Sequence, residues 1–213
     1  MAEPDRPLGM ENAEGAGSTR RRILAAAERA FVAQGFHVAT MDAIARGAQC
    51  SKKTVYKLFA SKEDLFRELM REKKAEIGQT PIDHALPPQD ALRDFILRLG
   101  GLILGSAAVA LTRIAMAEAG QAPSLLQEKD GGQPETARLV LEDYLTDLQR
   151  EGAYDFGPSP EAARMLIGMA LGAFHHELMV GLEVEVPEAA LRARAERAVA
   201  IFLRGSRTGG PGI

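Results

Sequence analysis

Apolar residues along this chain recur every three to four positions, and nowhere do they alternate as a half-buried strand would, so the pattern predicts an all-α protein. From Ser18 to Gln34 the apolar positions Ile23, Ala27, Ala30 and Phe31 share one side of a helix. Ser18 can cap its start, Gly35 can end it, and Phe36 then turns back into the same core. A short second helix is expected after Thr40, carrying Ile44 and Ala45 inward, and a third after Ser51, burying Val55, Leu58 and Phe59. Ser61 opens a fourth, with Asp64 three residues on as capping-box partner and Leu65, Phe66 and Leu69 as its stripe. Prolines at 81, 87 and 88 end it. Beyond them, helical periodicity marks roughly 90–104, 107–119, 123–129, 134–150, 160–180 and 187–203, punctuated by the glycine pair at 131 and 132 and by FGPSP at 156–160. The apolar run between Arg98 and Arg113 has 14 residues, short of the roughly 20 a bilayer span needs. It reads as buried helices broken near Gly105 and Ser106.

These elements suggest a disordered tail over 1–17, a three-helix module over 18–60, a connector helix over 61–80, a larger helical domain over 81–204 and a frayed tail over 205–213. Charge sharpens the division. The net charge is -3, which taken alone argues against a polyanionic partner. Yet residues 18–75 hold 13 basic against 6 acidic side chains, while residues 76–213 hold 12 against 19. A small basic module is attached to a larger acidic one. A single cysteine excludes an intrachain disulfide framework and fits a reducing compartment. The first residues lack the apolar run of a signal peptide, so a cytoplasmic location is expected.

Within the basic module, the 20 residues between Asp42 and Glu63 carry five cations and no acid. The apolar spacing and the four-residue break describe a helix-turn-helix with a cationic outer face, which points to DNA. Lys52, Lys53 and Lys62 fall at helix starts, where the dipole disfavours a cation by about 0.3–1 kcal/mol each. A phosphate docked there reverses that sign, because it meets both free N–H groups and ammonium groups. The Arg20–Arg22 run and Arg46 could add nonspecific phosphate contacts. Cys50, beside these lysines, reads as a small packed thiol rather than a redox sensor.

The residues Ile23-Leu24, Ala27, Phe31, Gly35-Phe36, Thr40, Ile44-Ala45, Thr54-Val55-Tyr56, Phe59, Ser61-Lys62-Glu63 and Leu65 resemble, without gaps over some 50 positions, the amino-terminal domain of the TetR/AcrR family of transcriptional regulators. The carboxy-terminal match, in LTRIAMAEAGQAPSLL and AVAIFLRG, is looser. The resemblance implies that Thr40, Thr54 and Lys62 hold phosphates and that Lys52, Lys53 and Tyr56 face base edges, with Lys57 on groove or backbone. Two positions depart from the family pattern. Gln49 stands where glycine is common, at a position of positive φ, and Lys53 stands where a small residue or proline is common.

Such modules usually act in pairs about 34 Å apart. The last two long helices are the expected homodimer interface, since Gly168 and Gly172 permit close approach and Leu191, Ala195, Ala198 and Phe202 form a stripe. Phe95, Leu99, Met116, Tyr144, Met165, Met169, Phe174 and His175 are candidate linings of an adaptable apolar pocket for a small hydrophobic ligand. No cofactor is expected, nor a metal site, because His175 and His176 diverge by about 100° on a helix. No catalytic constellation stands out, so no enzyme is expected. The reading is a homodimeric repressor on a palindromic operator, released by a small hydrophobic ligand. The alternative is a DNA-binding regulator without an effector, acting as an activator or through a protein partner.

Overall fold

The computed structural model describes residues 10–119 and 137–208. Among them the regular structure is helical, apart from an isolated antiparallel bridge between Tyr154 and Arg207. The helix expected at 123–129 and the glycine pair at 131 and 132 lie outside the described residues. In chain order the helices are α1 (Met10–Gln34), α2 (Met41–Gly47), α3 (Lys52–Leu58), α4 (Lys62–Gly78), α5 (Pro88–Ile103), α6 (Ser106–Ala119) and α7 (Ala137–Arg150). They continue as α8 (Ser159–Ile167), a π-helical segment (Gly168–Gly172), α9 (Ala173–Val180) and α10 (Glu188–Gly205).

Two compact units divide the described chain, one with residues 10–71 and 114–119, the other with 72–113 and 137–208. The division falls inside the helix expected as a connector, and the end of α6 joins the first unit rather than a domain spanning 81–204.

In the first unit Ile23, Ala27 and Phe31 are buried on α1, while Ala30 is half-buried. Three rings form its centre: Phe31, Phe36 and Phe66 have centroids 5.3, 5.5 and 5.6 Å apart, two of the pairs edge-on. Ile44, Val55, Phe59, Leu65 and Leu69 close the core around them, with Leu58 half-buried. Gly35 follows α1 at φ +79°. The helix begins at Met10, eight residues before the expected Ser18 cap, so residues 10–17 are helical rather than a tail. Glu68 takes hydrogen bonds from Arg71 and from Arg20, which reaches across from α1 and also lies over the Phe59 ring. These two guanidiniums, Arg71 foremost, hold the Glu68 carboxyl below its ordinary range. The end of α6 adds the buried Glu118, whose carboxylate lies 2.8 Å from Nε2 of His37.

The second unit packs α5 and α10 together with α7, α8 and the π segment. Leu92, Phe95 and Ile96 meet Leu141, Leu145, Leu166, Ala195 and Val199 in its core. Gly100 is closely packed: a Cβ there would lie 3.0 Å from Leu191 of α10 and 3.3 Å from Leu171, so those side-chain ends would have to shift by a few tenths of an ångström. The axes of α5 and α6 meet at 62°, and no single described helix is long and apolar enough to cross a membrane. The segment expected as one helix over 160–180 is helical from Ser159 to Val180, but Gly168–Gly172 winds as a π-helix. At its end Gly181 adopts φ +79°, and Arg113 donates to the carbonyls of Leu178 and Met179. The expected tail at 205–213 is partly structured. Asp155 N donates to Ser206 O at 2.7 Å, and Thr208 donates from N to Ala153 O and from Oγ1 to Gly152 O.

Candidate nucleic-acid interface and an apolar cavity

The turn between α2 and α3 sets how the outer face is presented. Thr40 caps α2 by accepting from Ala43 N at 3.2 Å. At the other end Ala48 is the last half-helical residue, and Gln49 follows in the left-handed region at φ +53°. Gln49 N donates to Arg46 O and Cys50 N to Ala45 O, both at 3.1 Å. This double closure is a Schellman motif with Gln49 at the position that favours glycine. The positive φ expected at residue 49 is therefore present, and glutamine adopts it at a cost of about 1–2 kcal/mol. Gln49→Gly is expected to stabilise the chain by about 1 kcal/mol, read as a higher melting temperature; a lower one would refute the strain. Half-buried Cys50 is the residue that closes this motif.

Ser51 then caps α3, its Oγ accepting from Thr54 N at 3.1 Å and lying 2.8 Å from Thr54 Oγ1. With Val55 buried and Phe59 following α3 in the core, the opposite face of the helix stays in solvent. That face carries Lys52, Lys53, Tyr56 and Lys57 together, with Tyr56 45 % exposed. Lys53 and Lys57 make no ion pair or hydrogen bond among the described residues. Arg46 on α2 and Arg21 and Arg22 on α1 are also exposed.

The other two lysines at helix starts are engaged within the chain. Lys52 Nζ lies 2.7 Å from Asp42 Oδ1 and 6.0 Å from the Tyr56 ring centroid, and its hydrogen bond to Asp42 raises its pKa above the ordinary lysine value. Lys62 Nζ donates to His37 O at 3.2 Å and Ala39 O at 3.1 Å and sits 4.7 Å from the Phe36 ring. Helix-dipole reasoning made an incoming phosphate the sole favourable partner for these cations. The free chain instead supplies a carboxylate to one and two carbonyls to the other. Asp42 escaped the sequence reading because it bounds the acid-free run from outside, ten residues before the lysine it meets. Removing its charge with Asp42→Asn should free Lys52 for phosphate and steepen the salt dependence of DNA binding by about one unit of log–log slope. An unchanged slope would rule out that restraint.

In the second unit an apolar cavity of about 280 Å³ opens among Ile77 of α4, Ile103 of α5, and Ala108 and Thr112 of α6. Its remaining wall is Ile167, then Gly168, Leu171 and Gly172 of the π segment, then His175. Of the eight residues expected as linings, His175 lines this cavity. Phe95, Leu99 and Tyr144 belong to the close-packed core, where burial pushes the Tyr144 phenol pKa up and its ring meets His84 edge-on. Met169 and Phe174 are half-buried, the latter beneath Arg194, and Met116 and Met165 are exposed. Methionine and phenylalanine suit a core and a cavity equally, so composition had no means of separating the two.

Residues 23–69 match the model of bacterial regulatory proteins of the tetR family, and residues 90–205 match that of the AefR-like transcriptional repressor C-terminal domain. The Bacillus subtilis uncharacterised HTH-type transcriptional regulator YvkB is 25 % identical over 88 % of this chain and 96 % of its own length. A solved TetR-family regulator from Mesorhizobium loti superposes with a TM-score of 0.81 at 26 % identity, covering 91 % of this chain and 98 % of that one. The flavonoid-responsive regulator FrrA gives 0.70 at 28 % identity, with 91 % and 100 % covered. The two family models together span both units, and the chain belongs to the TetR family of DNA-binding transcriptional regulators.

Proposed function

We propose that this protein is a homodimeric, cytoplasmic repressor without enzymatic activity, which binds a palindromic operator through α3 and leaves it when a small hydrophobic ligand enters the second unit. The observation that carries the DNA reading is the pair Lys53 and Lys57 flanking exposed Tyr56 on one face of α3, cations without partners among the described residues beside an aromatic. Lysine there can donate to guanine O6 and N7. Thr40 and Thr54, at capped helix starts, would fix phosphates through their hydroxyls. Lys62 would act indirectly, holding the α1–α2 turn in place through its two carbonyl partners.

Pairing is supported by apolar side chains left in solvent on the last helices: Met165 on α8, Val180 on α9 and Ile201 on α10 are each more than half exposed. A pair of copies carries two α3 helices, the number that two successive major grooves accept. Ligand release is supported by the cavity and by the name of FrrA, a relative that responds to flavonoids. The switch is a population shift, and near-complete release needs a ligand that prefers the DNA-incompetent form by about 5.5 kcal/mol.

A titration of the full-length protein against DNA flanking its own gene tests this. The expected result is a dimer-sized, salt-sensitive complex that outcompetes scrambled DNA. Equal affinity for scrambled DNA at every salt concentration would sink the reading.

A further inference from the structure

His175 is the one titratable side chain among the described residues lining the cavity, and these residues give its imidazole no hydrogen bond, ion pair or ring contact. Thr112, the other polar lining residue, already donates its hydroxyl hydrogen to Ala108 O at 2.8 Å within α6. All other lining side chains are hydrocarbon, and the two glycines present bare backbone. An apolar chamber whose uncommitted polar side chain is an imidazole favours an apolar guest bearing one oxygen function, since a second polar group would find only the lone pairs of the Thr112 hydroxyl.

Size narrows the class further. A dry cavity of about 150 Å³ accommodates benzene, and this one measures about 280 Å³. The space suits two fused rings or their aliphatic equivalent. Gly168 and Gly172 border that space, and a Cβ built on either meets nothing within 4 Å. A larger side chain at either position is therefore accommodated without a clash at its Cβ and narrows the chamber.

We propose that this cavity binds a compact, roughly two-ring apolar compound carrying a single hydroxyl or carboxylate, with His175 as the group that reads that oxygen. The proposal rests on the reading of the second unit as ligand-binding, and it specifies the ligand's chemistry and the residues that select it.

Naphthalene, 2-naphthol, 2-naphthoate and 2,7-dihydroxynaphthalene are suitable probes, followed by their own fluorescence with the full-length protein and no DNA present. At least one of 2-naphthol and 2-naphthoate should bind about tenfold or more tightly than naphthalene, and that arm tells hydroxyl from carboxylate. The diol should bind more weakly than 2-naphthol. His175→Phe should keep naphthalene binding within about threefold and abolish the preference for the oxygenated probes. Gly172→Val should weaken every probe about tenfold or more; if it fails to fold, Gly168→Ala serves with a smaller loss.

Equal affinity for naphthalene and both oxygenated probes, a preference that survives His175→Phe, or full binding after the glycine substitution would each overturn the proposal. These measurements separate it from the release reading. Probes that bind through His175 but leave the operator complex intact would refute release alone. Operator release by a compound that still acts on Gly172→Val would refute this site alone.

Discussion

Lys53→Ala combined with Tyr56→Ala is expected to weaken the specific DNA complex about 100-fold or more while barely changing thermal stability. Each residue presents an exposed side chain on α3, and a good base contact is worth about 1–3 kcal/mol. Two such losses exceed the 1.4 kcal/mol that makes a tenfold change. Neither side chain fills the core, so stability should stay within about 0.5 kcal/mol per substitution. Anisotropy titrations at two salt concentrations, with a melting curve for each variant, distinguish lost readout from lost fold. Affinity for the operator that falls no more than affinity for scrambled DNA would show that these residues hold backbone rather than read bases.

Phe66→Ala should produce the largest loss of stability, about 3–5 kcal/mol. Its ring is fully buried and lies within 5.5 Å, centroid to centroid, of both Phe31 and Phe36, so truncation leaves a cavity walled by two aromatics. Domains of this kind are stable by about 5–15 kcal/mol, and the deficit is a large fraction of that. The consequence for DNA binding is specific. The seven-residue α3 buries Val55 fully in the same unit, and a helix that short has no stability of its own without tertiary packing. Chemical denaturation should give a lower midpoint, with DNA binding lost in parallel. A midpoint within 1 kcal/mol of the parent would mean that the ring cluster relaxes to fill the space.

The N-terminal unit was largely legible in sequence because its determinants are local. Thr40, Ser51 and Ser61 each cap the helix they precede, and Gln49 adopts the positive φ that its place in the turn demanded. What escaped were the partners of its cations. Asp42 meets Lys52 and the His37 and Ala39 carbonyls meet Lys62 through the turn geometry, which no periodicity encodes. In the second unit the helical segments were legible, but the assignment of faces was not. An apolar residue that fills a core obeys the same spacing as one that lines a chamber, so Phe95 and His175 were indistinguishable until α5, α6 and the π segment were placed. The pinned residues 206–208 carry glycine-rich, tail-like neighbours, and their partners at 152–155 lie some fifty residues away.

The π segment has a bearing on how this chain tolerates insertions and deletions. A π turn takes up one residue more than an α turn, and each residue of an α-helix advances the side chains by about 100°. The extra residue is therefore taken up within Gly168–Gly172, and Ala173–Val180 continues near the phase of an α-helix one residue shorter. Deleting a single residue there would let the whole stretch wind as ordinary α-helix and leave the phase of Ala173–Val180 nearly unchanged, because the π turn already absorbs that residue. Point substitution elsewhere on these helices alters one contact at a time. A change of one in length elsewhere on them would turn every contact beyond it by about 100°.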